Sequence, residues 1–527
     1  MSGLLRSNLV VATGTALSRV SGLARVLALA YVIGQNSVTD AYKFANETPN
    51  IVYDLLLGGV LSATLVPLFT SFIGADDGRD DDRATSIVMT TAATLMVALT
   101  AIAVFAAPLV FSLYSFSTAA GVDGARFREA GTVLTRIFLV QILFYGLTGL
   151  ANAYLNSRRR FLAAAWSPIA PNLVIVATLL SLPDPGPEGW RLADVVADDR
   201  LRLTLGFGAT IGIASMAAIV LPAAVRCGLD LRPVWDWRHP AVRKLLRLSG
   251  WTFGFVVANQ VAVVAIRNLA LSEGPGLGSA YIDAFTWFVL PHGLLAVSVA
   301  TTFQPELARA VANRDRAAFV HHTSLGVRII AGLTLPAAAV MFVLREPIIG
   351  VMQQRGAFDA AARVNTADAL GGLAIGLAGF SVYLFVLRGF YAHQDTRTPF
   401  VLNVGENLLN IVLAVAFIRW WGVFGIALAH SLAYLVAAVW ALRVVARRVQ
   451  QFPLGPIWSS VWRMLLATAL AAQSIWFLTR DVDQDTGWHA VAQITVGGGV
   501  GIVVYVAALV VLRAPEIQWM RQRLTRS

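Results

Sequence analysis

The sequence holds a single cysteine, Cys227, in 527 residues, which excludes an intrachain disulfide framework and any multi-cysteine metal site. Charge is scarce too. Asp, Glu, Lys and Arg make up 13% of the chain, about half the share found in soluble domains, while hydrophobic residues reach 57%. Such a chain cannot clothe a water-soluble surface and is expected to be an all-α integral membrane protein. Catalytic and nucleotide signatures are missing as well: there is no GxxxxGK[ST] loop, no HExxH and no nucleophile elbow. His321 and His322 form a loop pair without further nearby ligands, and structural zinc takes four, so no metal site and no cofactor is expected. The net charge of +11 belongs first to membrane topology, and no nucleic-acid partner is expected.

What the chain does have is apolar runs of about 20 residues or more, without the period-two alternation of barrel strands. About fourteen spans follow from the length rule, near 9–34, 42–73, 85–115, 130–155, 162–182, 202–225, 249–272, 279–308, 324–344, 364–388, 399–418, 423–444, 459–479 and 489–513. The first run continues past signal-peptide length with no small-residue cleavage site, so it is expected to remain as a helix. Alternating the loops puts about 22 Lys and Arg on one side against about 10 on the other, which places both termini in the cytoplasm. The acidic loop Asp76 to Arg83 breaks the trend only weakly, since acids count little in that rule, and reads as a solvated turn.

Two short repeats divide the chain. Tyr154 and Tyr391 lie about 237 residues apart, and Tyr42 and Tyr281 about 239, as expected for two parallel halves. This gives an N-terminal lobe of six helices over 1–228, a linker at 229–248, a second six-helix lobe over 249–448, and two further helices with a basic tail over 449–527. Within the linker, basic residues alternate with Trp235 and Trp237, the pattern of an interfacial helix in contact with membrane lipids. Two lobes facing a central cleft form a transporter architecture with alternating access.

The chemistry then rests on charge inside apolar segments. A guanidinium at bilayer depth costs roughly 2.5 to 3.5 kcal/mol on the lenient scales, so Arg19 and Arg25 are expected to face water or an anion. They lie about 120° apart on an unbroken helix, but a bend at Ser21-Gly22 would aim both into one cavity. Snorkelling of either one to an interface is the alternative. Lys43, Glu47, Asp54, Arg136, Asp283, Glu306, Arg328, Arg388 and Glu406 are further charges within or beside spans. In the seventh span AVVAIRNLAL surrounds Arg267 with apolar residues, and the repeat sets this helix opposite the first. A local pair with Asp283, or snorkelling, is the competing account of Arg267. Asp40 orients an arginine, holds a gate or caps the next helix. Arginine gives a planar, permanently charged fork for phosphate, and a cleft with many arginines and few acids suits an anionic headgroup.

At these residues the chain resembles the MurJ (MviN) family of lipid II flippases, in the superfamily of MATE exporters and polysaccharide flippases. SRVSGLAR at Ser18 to Arg25, TDAY at Thr39 to Tyr42, PNIVYDLLLGGVLSATLVP at Pro49 to Pro67, MQQRGAF at Met352 to Phe358 and RGFYAHQDTRTP at Arg388 to Pro399 carry the likeness in order. The resemblance implies a MATE-like fold of fourteen helices, the last two forming a groove for the lipid tail. It also implies a cationic cavity for the pyrophosphate and sugar of undecaprenyl-linked peptidoglycan precursor, lipid II. Arg19, Arg25 and Asp40 match the family's substrate-binding positions, and Arg267 is expected to join them. Gly22, Asp54, Arg355, Gly356, Arg388 and Asp395 are read as gating or structural motif residues. The chain departs from the pattern at Phe285-Thr286-Trp287, where many members place a cavity arginine, and at Tyr53-Asp54 and Gly58 in the second helix. The expected function is transport of lipid II from the inner to the outer leaflet, coupled to the membrane potential or to Na+ or H+. Lipid II, membrane lipids and cell-wall synthesis and division proteins are the implied partners. Another polyprenyl-diphosphate glycan as substrate, or a non-transporting envelope scaffold, is the alternative; a glycan polymerase is disfavoured by the short outer loops.

Overall fold

Within a bilayer no water can satisfy backbone N–H and C=O groups, so an apolar run must bond within itself. The computed structural model describes residues 2–53, 69, 78–186, 189–230, 232–236, 250–449, 452–482 and 485–515, and among them every regular element is a helix. In order these are α1 (Ser2–Ile33), α2 (Ser37–Tyr53), α3 (Gly78–Phe105), α4 (Ala107–Ser112), α5 (Gly124–Leu139), α6 (Gln141–Ser157), α7 (Leu162–Trp166), α8 (Ile169–Leu180), α9 (Leu192–Ala197), α10 (Asp199–Arg226) and α11 (Gly250–Glu273). There follow α12 (Leu277–Pro291), α13 (Val297–Ala312), α14 (Arg316–Val343), α15 (Arg345–Gln353), α16 (Ala360–Ala374), α17 (Leu377–Ala392), α18 (Arg397–Arg448), α19 (Leu454–Thr479), α20 (Gly487–Ala492) and α21 (Gly498–Val511).

Two units emerge: Met1–Val264 with Arg355–Phe358, and Ala265–Gln354 with Asp359–Ser527. In the first, α10 packs on α6 and α8, α1 on α7 and α8, and α2 on α5. In the second, α16 and α17 pack on α18, α14 on α13, α17 and α19, and α19 on α21. Among the described residues ten helices are long and apolar enough to cross a membrane, or eleven with the bent pair α16 and α17. The second expected span lies largely outside the described residues, as do part of the seventh, most of the linker 229–248 and the last residues of the tail.

The 52-residue helix α18 holds two of the expected spans. Gly422 interrupts it with φ 50° and ψ −133°, and Arg448 at its end hydrogen-bonds Asp395, just before its start. The chain therefore reverses at Gly422 and the element is a hairpin. A second break separates α16 from α17 by 50°. There the Ser431 hydroxyl donates toward the Gly372 and Leu373 carbonyls at 2.7 and 2.9 Å and accepts from Gly376 N–H at 2.9 Å. A Cβ on Gly376 would lie 2.4 Å from Ser431 Cα; glycine permits the contact that satisfies the broken backbone.

Five helix ends close alike. The N–H groups of Arg160, Leu229, Asp315, Asp395 and Ala514 each reach back five residues, to the carbonyls of Leu155, Ala224, Ala310, Phe390 and Leu509. The residue before each takes positive φ: Arg159, Gly228, Arg314, Gln394 and Arg513. This is the Schellman closure.

Candidate functional site

In the first unit α1 runs through Ser21-Gly22 as one continuous helix. Ser21 bonds back to the Ser18 carbonyl at 3.0 Å, and Asn172 of α8 donates to the Ser21 hydroxyl at 3.0 Å and the Ser18 carbonyl at 3.3 Å. A Cβ on Gly22 would meet only Asn172 Nδ2, at 3.7 Å. The two arginines consequently take different surroundings: Arg19 is exposed, while Arg25 is half-buried and its charge reaches the Tyr42 hydroxyl on α2.

Asp40 is fully buried in the first turn of α2. It is not the cap. Asn36 has that role, its Oδ1 accepting from the N–H groups of Val38 at 2.9 Å and Thr39 at 3.1 Å, and Thr39 donates its hydroxyl to the Gly34 carbonyl at 2.7 Å. The same turn receives the Arg355–Phe358 segment, which belongs to this unit. Ala357 N–H donates to the Tyr31 carbonyl at 2.8 Å. Gly356 has φ +61°, and a Cβ there would lie 2.4 Å from the Tyr31 oxygen, so the motif glycine meets both a left-handed turn and a close approach. Arg355 itself is exposed. Deeper in this unit, Gln141 on α6 donates to Asn46 on α2 and Thr210 on α10, each at 3.4 Å, a polar bridge that hydropathy does not single out. Asp54 lies outside the described residues.

In the second unit Arg267 is half-buried on α11, and its charge reaches buried Tyr281 on α12. Asp283 is buried and accepts from Gln353 at 3.3 Å. The positions where an arginine was missing are filled by packing: Trp287 is buried, and the Phe285 ring stands edge-on to His430, with centroids 5.7 Å apart. Phe288, Phe380 and Tyr434 also surround His430, at 6.0, 6.1 and 4.6 Å. Beside them, near Tyr281, Tyr383 and Tyr434, lies Glu406, only 2% exposed. Among the described residues neither Glu406 oxygen, nor Tyr383 Oη, nor His430 Nε2 has a hydrogen-bond partner.

Arg388 and Asp395 lie near one end of this unit. Arg388 donates to Gln304 at 2.9 Å. Asp395 accepts from the Thr398 N–H at 3.0 Å, the Thr398 hydroxyl at 2.6 Å and the Arg448 guanidinium. Partial burial pushes its carboxyl up, but the Thr398 bonds and Arg448 outweigh that and hold it at about 2. Among the described residues no three His, Cys, Asp or Glu side chains are grouped to hold a metal ion.

The family model described as Lipid II flippase MurJ matches residues 29–496. A probable lipid II flippase MurJ of Vibrio cholerae serotype O1 is 25% identical over 518 residues, covering 97% of this chain and 96% of its own. The lipid II flippase MurJ of Burkholderia cenocepacia is 28% identical over 435 residues, 81% of this chain and 80% of its own. Among solved structures, a lipid II flippase MurJ in an inward closed conformation superposes with a TM-score of 0.77 at 22% identity, over 97% of this chain and 100% of that one. An inward-facing MATE multidrug resistance transporter of the MOP superfamily gives 0.64 at 12% identity, over 82% and 94%. These likenesses establish the MATE-like transporter fold.

Proposed function

Because the chain belongs to the lipid II flippase MurJ family, we propose that its guanidinium groups carry the diphosphate of lipid II across the membrane. The protein is a multi-pass membrane transporter and not an enzyme. Arg25 supports the assignment most directly: it is a half-buried guanidinium in an apolar span, near Tyr42, where a fixed cation is costly unless an anion or water meets it. Arg19 is one and two-thirds turns earlier on the same helix and exposed, suited to meeting a headgroup first. Asp40 orients or gates this pair. Arg267 supplies charge in place of the eighth-helix arginine, whose positions hold Phe285, Thr286 and Trp287.

Transport runs from the inner to the outer leaflet of the cytoplasmic membrane by alternating access, with both termini in the cytoplasm. The absence of a nucleotide motif from the sequence favours coupling to the membrane potential or an ion gradient, sodium or proton, and one charge in the field gains about 2.3 kcal/mol per 100 mV. Cell-wall synthesis and division proteins are proposed partners.

The test is proteoliposomes loaded with labelled lipid II, in which translocation exposes a protected headgroup. Arg267→Ala is expected to abolish that exposure while the purified variant melts as the parent does. Full activity of Arg267→Ala would overturn its place in the site. Unchanged lipid with the parent protein would favour a scaffold over a transporter.

A further inference from the structure

At one end of the second unit lie the α13–α14 turn, the α17–α18 turn and the passage from α18 to α19. Two cavities open there, of about 550 Å³ and about 500 Å³, and Arg316 in the first turn of α14 lines both. The larger also meets Arg328, Val320 and Pro453; the smaller meets Arg314, Asp315 and Arg448. We propose that this paired cavity binds the phosphate of an anionic membrane phospholipid, with the start of its acyl chains lying between α14 and α19.

The charge balance favours an anion. Arg314, Arg316, Arg328 and Arg448 line the two cavities with Asp315; Arg448 is already paired with Asp395 and Asp315 Oδ1 caps α14 by accepting from Ala318 N–H at 2.9 Å, so Arg314, Arg316 and Arg328 carry the excess of positive charge. The amino end of the 28-residue α14 adds its own positive potential. Arg314 holds φ 56°, a left-handed position that glycine would fill without strain, so the backbone closure alone does not account for an arginine at the mouth.

The depth fits a headgroup. The cavity opens where spanning helices end, and Trp458 and Trp462, 61% and 54% exposed, follow Pro453 within the first turns of α19, as in the aromatic belt at membrane interfaces. Arg316 and Arg328 are separated by about 18 Å along α14, long enough for a headgroup and the first acyl carbons. Val320, Leu325 and Pro453 provide apolar lining. Lipid II carries the same phosphate chemistry, but a bulk phospholipid is the occupant assigned here, and the test separates the two.

Full-length protein in detergent would be titrated with phosphatidylglycerol or phosphatidylcholine of matched chains, with bound lipid counted by native mass spectrometry. The parent is expected to bind one phosphatidylglycerol in preference to phosphatidylcholine. Arg314→Gln and Arg316→Gln should each weaken it by roughly five-fold, and together by on the order of 25-fold, following about 1 kcal/mol per basic residue. Arg316→Lys should restore most of the loss. Both side chains are exposed, and an unchanged melting temperature would confirm the fold; were the double variant to melt early, the single Arg314→Gln decides. Equal phosphatidylglycerol binding by parent and variants would overturn the site. Loss of lipid II binding without loss of phosphatidylglycerol would assign it to the transported lipid, and displacement of phosphatidylglycerol by millimolar inorganic phosphate with equal affinity for both lipids would reduce it to a phosphate site; either result overturns the phospholipid assignment.

Discussion

Opening the closure of the α18 hairpin should lower stability in a pH-dependent way. Asp395 and Arg448 lie 53 residues apart in sequence, and their bond joins the two ends of the hairpin. The fall of the Asp395 carboxyl from 3.8 to about 2 is equivalent to about 2.4 kcal/mol between its two protonation states. The side chains of Arg448 and Asp395 are 54% and 21% exposed, so solvent screening reduces the contribution to about 1 kcal/mol. The sign follows from the depressed value: the stabilisation is present above the unfolded pKa near 4 and is lost as pH falls toward 2. Asp395→Asn should therefore lower the melting temperature at pH 7 by about 1 °C, keeping an acceptor for the Thr398 N–H while removing the charge. As pH falls from 4 toward 2 the parent should converge on the variant. Arg448→Gln should lower stability comparably, and the double variant should be little worse than either. Additive losses in that cycle, or identical melting of parent and Asp395→Asn at pH 7, would refute the closure.

Ser431→Ala should cost roughly 1 to 3 kcal/mol, because a buried N–H and carbonyls at the α16–α17 break lose their partner; thermal melting in detergent checks this, and no change would mean the break is satisfied otherwise. Arg25→Ala is expected to abolish lipid II translocation in proteoliposomes, whereas Arg25→Lys should keep part of it, since the charge remains and the bidentate fork is lost. Full activity of the lysine variant would remove the fork from the argument. Gly356→Val should strain the left-handed turn by about 1 to 3 kcal/mol and clash with the Tyr31 carbonyl; faster amide hydrogen exchange at Ala357 is the expected sign, and unchanged protection would contradict it.

The spans were legible because run length and apolarity are local properties. The pair merged in α18 could be separated from sequence by Arg419, Trp420, Trp421 and Gly422, which mark a polar and aromatic reversal between two apolar runs. Motif positions were legible too, but their partners were not. Gly356 stood out within RGAF, yet its contact is the Tyr31 carbonyl, more than 300 residues earlier, and no periodicity reports that. At Ser21-Gly22 the partner was hidden as well: Asn172 of α8, about 150 residues later, donates to the Ser21 hydroxyl and the Ser18 carbonyl. Asp40 resembled a cap in sequence because it begins a helix, but Asn36 lies four residues earlier with the right side chain and the right geometry. His430, Tyr383 and Tyr434 gave no signal, since single polar aromatics in spans resemble ordinary packing until tertiary contacts bring them together.

That cluster permits one more decisive substitution. Asn403, Glu406, Asn407 and Asn410 recur at helical spacing on one buried face of α18, and the side-chain oxygens of Asn403, Glu406 and Asn410 lack donors among the described residues. An ionised carboxylate held this way bears a desolvation cost that local hydrogen bonds do not offset. Glutamine has nearly the same shape and brings its own N–H donors to a site crowded with acceptors. Glu406→Gln should therefore preserve or raise the melting temperature of the purified protein. A marked fall would mean that the charge itself is stabilised by a bound cation, and addition of sodium at constant ionic strength would then protect the parent but not the variant.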